Sequence, residues 1–278
     1  MISINQSSIP KHTIDTGITQ QPLLTQRIKG AAIRLEMLTL AAGATRKFDA
    51  PAQSLAWFQM LAGEARLSAV DIDPLSASSS VVLPPGYPAT LSTKTGATLL
   101  YVEIADAARL DPGFSDEHPL FMVLDWKREP VLVSTTDGRK RISLINPDIC
   151  RTKAIKIEMV IYPPGSMSPN YHDEGAESFV YVVGGHGIAW ANEQPFSASP
   201  GDLIYFPDGE RRYFKAADGG ELQFLQLHMP GVFKSVWTDP SKVSAWRLTR
   251  RDVNGGETED DERERIVYRK IFGNPWTR

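Results

Sequence analysis

The chain has 278 residues, of which 42% are hydrophobic and 23% charged, and its formal net charge is −3. That length suits one large domain or two ordinary ones, with enough apolar content for a sizeable core. The charge balance offers no basic stripe for nucleic acid, no apolar run approaches a membrane span, and the single cysteine, Cys150, excludes an intrachain disulfide or a thiolate metal cluster. Residues 1–13 lack the basic and apolar regions of a secretory signal, so a soluble cytoplasmic protein is expected. Cys150 follows Ile149 in an apolar stretch and reads as a small buried side chain.

An internal repeat organises the chain. Residues 33–43 (IRLEMLTLAAG) match 155–165 (IKIEMVIYPPG) at an offset of 122. Residues 57–63 fall on 179–185 at the same offset, and 83–86 fall on 206–209 with one further residue. Matched blocks in one order indicate a duplicated domain. The predicted order is an arm (1–30), a first copy (31–104), a connector (105–153), a second copy (154–229) and a tail (230–278).

The connector carries a hairpin turn at Asp137-Gly138, and its basic tip, residues 134–141, is expected to be solvated. Within the second copy, Ile155, Ile157, Met159 and Ile161 alternate with Lys156, Glu158 and Val160, the period of a strand with one buried face. Residues 179–183 meet Gly184-Gly185, residues 203–206 end at Pro207, and 222–228 form a further apolar run. Short strands between Gly/Pro turns indicate an all-β sandwich or barrel. In the tail, Trp246 is expected to anchor a short helix within 243–253, and the mixed charges of 249–270 suit solvent. Ile271, Phe272 and Trp276 are expected to dock on the body or on a sister subunit.

These residues resemble the cupins, specifically the two-domain bicupins. The first cupin motif is a glycine, a short spacer, H-X-H, three or four residues, Glu, six residues and Gly. The second is Gly, five residues, P-X-G, two residues and His. Here Gly165 opens the first motif, Asn170-Tyr171-His172 stands for H-X-H, and four residues lead to Glu177 and six more to Gly184. The second motif reads Gly201, Pro207-Asp208-Gly209 and Arg212. The resemblance implies two tandem double-stranded β-helix (jelly-roll) barrels with little helix, and pairing of barrels into a homodimer through sheet edges.

In cupins the two histidines, the glutamate and the second motif's histidine hold a metal ion. This chain retains His172 and Glu177, while Asn170 and Arg212 replace the other two. Two readings stay open. His172, Glu177 and Asn170 hold one divalent metal (Mn, Fe or Zn) with water, or the Arg212 guanidinium takes the cation's place and pairs with Glu177 or with an anionic substrate. In the first copy the same positions are Phe48, Ala50, Leu55 and Ala89, so no metal is expected there.

On the cupin pattern Glu177, Phe179 and Tyr181 share the strand face that lines the barrel. Glu177 and His172 would move protons and Tyr181 would orient a small anionic metabolite; Arg212, Tyr213, Gln226, His228 and Phe179 would bind it. Asp173 and Glu174 read as a solvated rim, and Tyr213 replaces Arg212 as the inward group if the register slips by one. The resemblance implies hydrolase, isomerase or lyase chemistry, with a metal-free binding or sensor cupin as the alternative. Oxygenase chemistry is disfavoured, because an iron facial triad needs two histidines and a carboxylate. The layout is similar to that of the ureidoglycine aminohydrolase group, whose ligand set of Glu, two His and Gln is not reproduced beyond His172. His186 reads as an exposed turn residue, and His12 and His118 receive no role.

Overall fold

The computed structural model describes residues 1–68, 74–115 and 119–258. His118, Ile271, Phe272 and Trp276 lie outside the described residues. Two compact units emerge: one of Met1–Ser8, Lys127–Pro147 and Lys153–Thr258, the other of Ile9–Trp126 with Asp148–Thr152. Each is a pair of antiparallel sheets around its own core, the all-β architecture expected.

In the second unit of the repeat, the larger sheet runs in the order Ile2–Asn5, Asp202–Phe206, Glu177–Gly185, Leu222–Met229, Lys156–Tyr162, Lys140–Ile145, Leu132–Ser134 and Trp246–Leu248. The smaller runs Gln194–Ala198, Gly187–Ala191, Arg212–Ala216, Tyr171–Glu174 and Lys234–Trp237. In the first unit of the repeat the central order is Ser79–Leu83, Leu55–Gly63, Ala97–Ala105, Ala31–Leu40 and Ile18–Ile28. Strand for strand this copies Asp202–Phe206 through Lys140–Ile145, so the duplication reaches further towards the N-terminus than its matched sequence blocks. Ile18–Ile28 and Lys140–Ile145, within the residues read as arm and connector, are the strands that open the two barrels. The chain start contributes Ile2–Asn5 to the sheet of the second copy, paired with Leu203 and its neighbours.

Strand faces decide what each barrel contains. The core between the sheets of the second copy is built from Val160, Tyr162, Val180, Val182, Ile204, Phe206, Leu222 and Phe224 on one side and Ala189, Ala191, Phe214 and Ala216 on the other. Side chains alternate along a strand, so Lys156, Glu158, Ser178, Gln226 and His228 share the inner face. Ile157, Met159, Phe179 and Tyr181 face the opposite way and are buried too. A strand covered on both faces looks apolar on its outer side and permits a polar inner one, the reverse of the one-sided alternation expected.

Two local expectations change. Leu132–Ser134 and Lys140–Ile145 form the hairpin around Asp137-Gly138, with Gly138 at φ 71. Its turn residues Thr135, Thr136 and Gly138 are exposed, but its basic residues are not freely solvated: Arg139 is buried, bonded to Asp137 and Ser244 and lying over the rings of Tyr162 and Trp246. Trp246 belongs to a strand, Trp246–Leu248, paired with Leu132–Ser134, rather than to a helix. Cys150 is buried and His186 exposed, as expected.

Gly63 and Gly185 mark the same bulge in the two copies, at φ 76 and 71. A Cβ on Gly185 would overlap the Glu221 carbonyl, and one on Gly63 the Gly96 carbonyl. Gly185→Ala is therefore expected to cost about 2–4 kcal/mol of stability, from a left-handed backbone and a backbone clash together. Gly219→Ala, with open space around it, should stay within about 0.5 kcal/mol in the same urea titration.

Candidate functional site

The inner face of the second copy carries a buried polar cluster where the two sheets meet. Tyr171 and Asp173 come from the strand Tyr171–Glu174, and Arg212 from its partner Arg212–Ala216. Ser178, Gln226, His228, Glu158 and Lys156 come from the facing sheet, where Lys156, His228 and Ser178 lie in one row across three strands. Asp173 and Arg212 are each only 1% exposed and form an ion pair. Asp173 also accepts from Ser235 at 2.6 Å and lies 3.1 Å from His228 Nε2. Arg212 spreads over the rings of Tyr171 and Phe206, at 4.9 and 5.2 Å. Gln226 donates to the Tyr171 hydroxyl at 3.2 Å, and Phe233 stacks on the His228 ring at 4.2 Å.

A second ion pair borders the first. Glu158 accepts from Arg141 and lies 3.2 Å from Lys156 Nζ. Arg141 and Lys156 retain 21% and 22% side-chain exposure, which marks where solvent reaches this cluster. Arg141 is covered by the Trp246 ring at 4.7 Å.

These surroundings set the protonation states. Burial alone would raise both carboxyls, but the neighbouring donors and cations outweigh it. The His228 hydrogen bond and the Arg212 charge hold Asp173 well below the usual carboxylate range, and Arg141 and Lys156 bring Glu158 down to about 2. Burial pushes His228 down; Asp173 opposes this, and Arg212 and Lys156 add to it. His228 is therefore neutral, with Nε2–H directed at Asp173 and the Nδ1 lone pair facing the interior. Three cations against two carboxylates leave the cluster with one positive charge.

Of the residues singled out in the sequence, Arg212, Gln226 and His228 meet here. Glu177, Phe179 and Tyr181 lie on the opposite strand face. Glu177 accepts from the Tyr205 hydroxyl, Phe179 stacks on Tyr205 at 5.1 Å, and Tyr181 donates to Gln6 at 2.6 Å, its own pKa pushed up to about 12 by burial. His172, Asn170 and Tyr213 also face away from the cluster. His172 Nε2 is 3.6 Å from Glu174, Asn170 donates to Glu193 at 2.7 Å, and Tyr213 donates to Glu193 while stacking on Trp190. Arg212 thus pairs with Asp173, not Glu177, and Asp173 lies at the centre rather than on a solvated rim.

The physical reason is a one-residue slip. The motif spacing fits equally well as Gly165, five residues, Tyr171-X-Asp173, four residues, Ser178, six residues and Gly185, the glycine that matches Gly63. A shift of one residue exchanges every inward side chain for an outward one. In this register Tyr171, Asp173, Ser178 and Arg212 occupy the four ligand positions. They do not fit a metal ion: arginine has no lone pair to give, and Asp173 is already held by three donors. Among the described residues no group of three or more His, Cys, Asp or Glu is placed to hold one. In the first copy the positions around Ala56 and Ala89 are apolar, with Phe48 stacked between Phe58 and Tyr101, while Arg34, Glu36 and Glu103 form an ion cluster in the rows that hold Lys156, Glu158 and His228 in the second.

Removing one partner of the buried pair should be severe. Arg212→Met is expected to lose about 3–5 kcal/mol by leaving Asp173 charged and unpaired, whereas Glu177→Gln should cost about 1 kcal/mol or less. Both can be read from urea unfolding midpoints. The depressed carboxyls give stability that is fully present above their ordinary values of 3.8 and 4.5 and is lost progressively as pH falls from there through their depressed values, about 2 for Glu158 and lower for Asp173. Asp173→Asn should flatten this acid limb of the stability profile.

Residues 158–228 match the family model of the cupin domain. No curated protein sequence matches the chain. Among solved structures, the formate complex of oxalate decarboxylase from Lactobacillus farciminis aligns with a TM-score of 0.67 at 17% identity, covering 86% of this chain and 88% of that one. A Bacillus subtilis oxalate decarboxylase, from a study of its Mn(II) centres, aligns with a TM-score of 0.64 at 16% identity, over 86% and 79% of the two chains. Likeness at such identity speaks for the fold alone. Residues 158–228 thus form a cupin domain, and the duplicated two-sheet barrels give the chain the two-domain fold of these structures.

Proposed function

We propose that the second barrel takes up a small anionic metabolite and holds it without a metal ion. The observation that carries this reading is the net positive polar cluster inside the barrel, where Arg212 stands at a metal-ligand position. A guanidinium is a fixed cation with directed donors suited to a carboxylate. Exposure of Arg141 and Lys156 supplies an electropositive approach to the buried groups. The structural neighbours act on oxalate by name, and one holds formate, which supports small carboxylates as the class to test. Their Mn(II) has no counterpart ligand set at these four positions.

Turnover is the second reading, favoured by the Asp173–His228 contact. A neutral imidazole oriented by a buried carboxylate, with its other nitrogen open, can accept a proton from a bound molecule. Lys156, opposite His228 across the strands, is placed to return one. That arrangement suits isomerase or lyase chemistry initiated by proton removal.

Thermal unfolding of the full chain with formate, acetate or oxalate, and separately with Mn, Fe or Zn, tests the proposal. At a hundredfold excess over Kd a ligand adds about 2.7 kcal/mol, a shift of several degrees. A carboxylate-dependent rise is expected, with none from metal. Stoichiometric metal in protein purified without chelator would defeat the metal-free reading.

A further inference from the structure

Four buried atoms of the cluster have no hydrogen-bond partner among the described residues: Arg141 Nε at its border and, deeper, Ser178 Oγ, His228 Nδ1 and Arg212 Nε. Ser178, His228 and Arg212 are 0%, 2% and 1% exposed, so bulk water does not satisfy these three. Buried polar groups are nearly always paired, and each unpaired group carries a desolvation cost. Three on one lining point to a missing occupant.

Their placement describes that occupant. Ser178 and His228 are direct partners across neighbouring antiparallel strands, both facing inward. Such partners have Cβ atoms about 5 Å apart, close enough for one small group to touch both. The His228 ring is fixed by Asp173 at Nε2 and by Phe233 on its face, so Nδ1 acts as an acceptor. Arg212 Nη2 lies 3.5 Å from His228 Nε2, which places the guanidinium beside the imidazole. Its Nε–H is a charged donor.

An occupant that satisfies all three must donate to Nδ1, exchange a hydrogen bond with the serine hydroxyl and accept from a guanidinium. A simple carboxylate accepts from the serine hydroxyl and the guanidinium but has no proton to donate to Nδ1. A dicarboxylate adds a second negative charge facing Asp173 and Glu158. Water can bridge Ser178 and His228 but brings no charge to match the excess cation. Resting on the anion-binding reading above, we infer that the ligand is a small hydroxymonocarboxylate of the glycolate or lactate type. Its hydroxyl lies between Ser178 and His228, and its carboxylate lies on Arg212.

Calorimetric titration of the full chain at fixed ionic strength decides the matter, using glycolate, L-lactate, acetate, methoxyacetate and oxalate. Glycolate and lactate should bind about tenfold or more tightly than acetate and methoxyacetate, the worth of one good buried hydrogen bond. Ser178→Ala removes only a hydroxyl and should fold. It should narrow that preference to about threefold or less while raising the melting temperature of the ligand-free protein, because a buried unpaired group is gone. His228→Asn should narrow it likewise. Equal binding of acetate and glycolate, or a preference unchanged in both variants, overturns the hydroxyacid assignment and leaves the anion reading intact. Failure of every carboxylate to bind overturns both.

Discussion

Asp173 and Arg212 are withdrawn from water almost completely, and neither can be there without the other. Each ion gives up hydration worth several kcal/mol, which their mutual attraction offsets only with good geometry and further hydrogen bonds. The surrounding residues supply those. Ser235 and His228 complete the carboxylate. Tyr171 and Phe206 present ring faces to the guanidinium, which is weakly hydrated and tolerates such contact. The neutrality of His228 follows from the same arrangement, since a third buried cation beside Arg212 and Lys156 would be costly.

The site is completed from outside the repeated unit. Phe233 and Ser235 follow the last barrel strand, and Trp246 comes from a later one, yet they supply the ring on His228, the hydroxyl on Asp173 and the cover over Arg141. Lys234–Trp237 is held by pairing with Tyr171–Glu174, the strand that carries Asp173. The backbone pairing that extends the smaller sheet therefore also positions the groups that stabilise the buried charge. An element that looks like a tail in the sequence is part of the buried cluster's surroundings.

The fold was legible because its signals are redundant. Three matched blocks, Gly/Pro turns and motif spacings point to one architecture, and no single residue decides it. The inner face was not, because it rests on a register of one residue. Asn170-X-His172 and Tyr171-X-Asp173 satisfy the same spacing, and histidine at the first pulls the alignment towards the wrong one. The glycine that ends the motif held the correction: Gly185, not Gly184, matches Gly63, and only that frame turns Asp173 and Ser178 inward. Lys156 and Glu158 were missed for a related reason. Their neighbours Ile157 and Met159 are apolar, so alternation alone assigns the polar side to solvent, although both faces are covered.

The two barrels of this one chain differ at the positions of Asp173, Ser178 and Arg212. Phe48, Ala56 and Ala89 fill the first with stacked rings and methyl groups; Asp173, Ser178 and Arg212 stand in the corresponding part of the second. Stability alone favours the first solution, because exchanging a buried ion pair for well-packed apolar residues is commonly neutral or stabilising. The twin is apolar at those positions, although it keeps its own ion cluster of Arg34, Glu36 and Glu103 nearby. The buried Asp173–Arg212 pair and the unpaired polar atoms beside it are what the second copy has and the first does without. The polar occupant of opposite charge proposed above would account for both, its hydrogen bonds falling on the unpaired atoms.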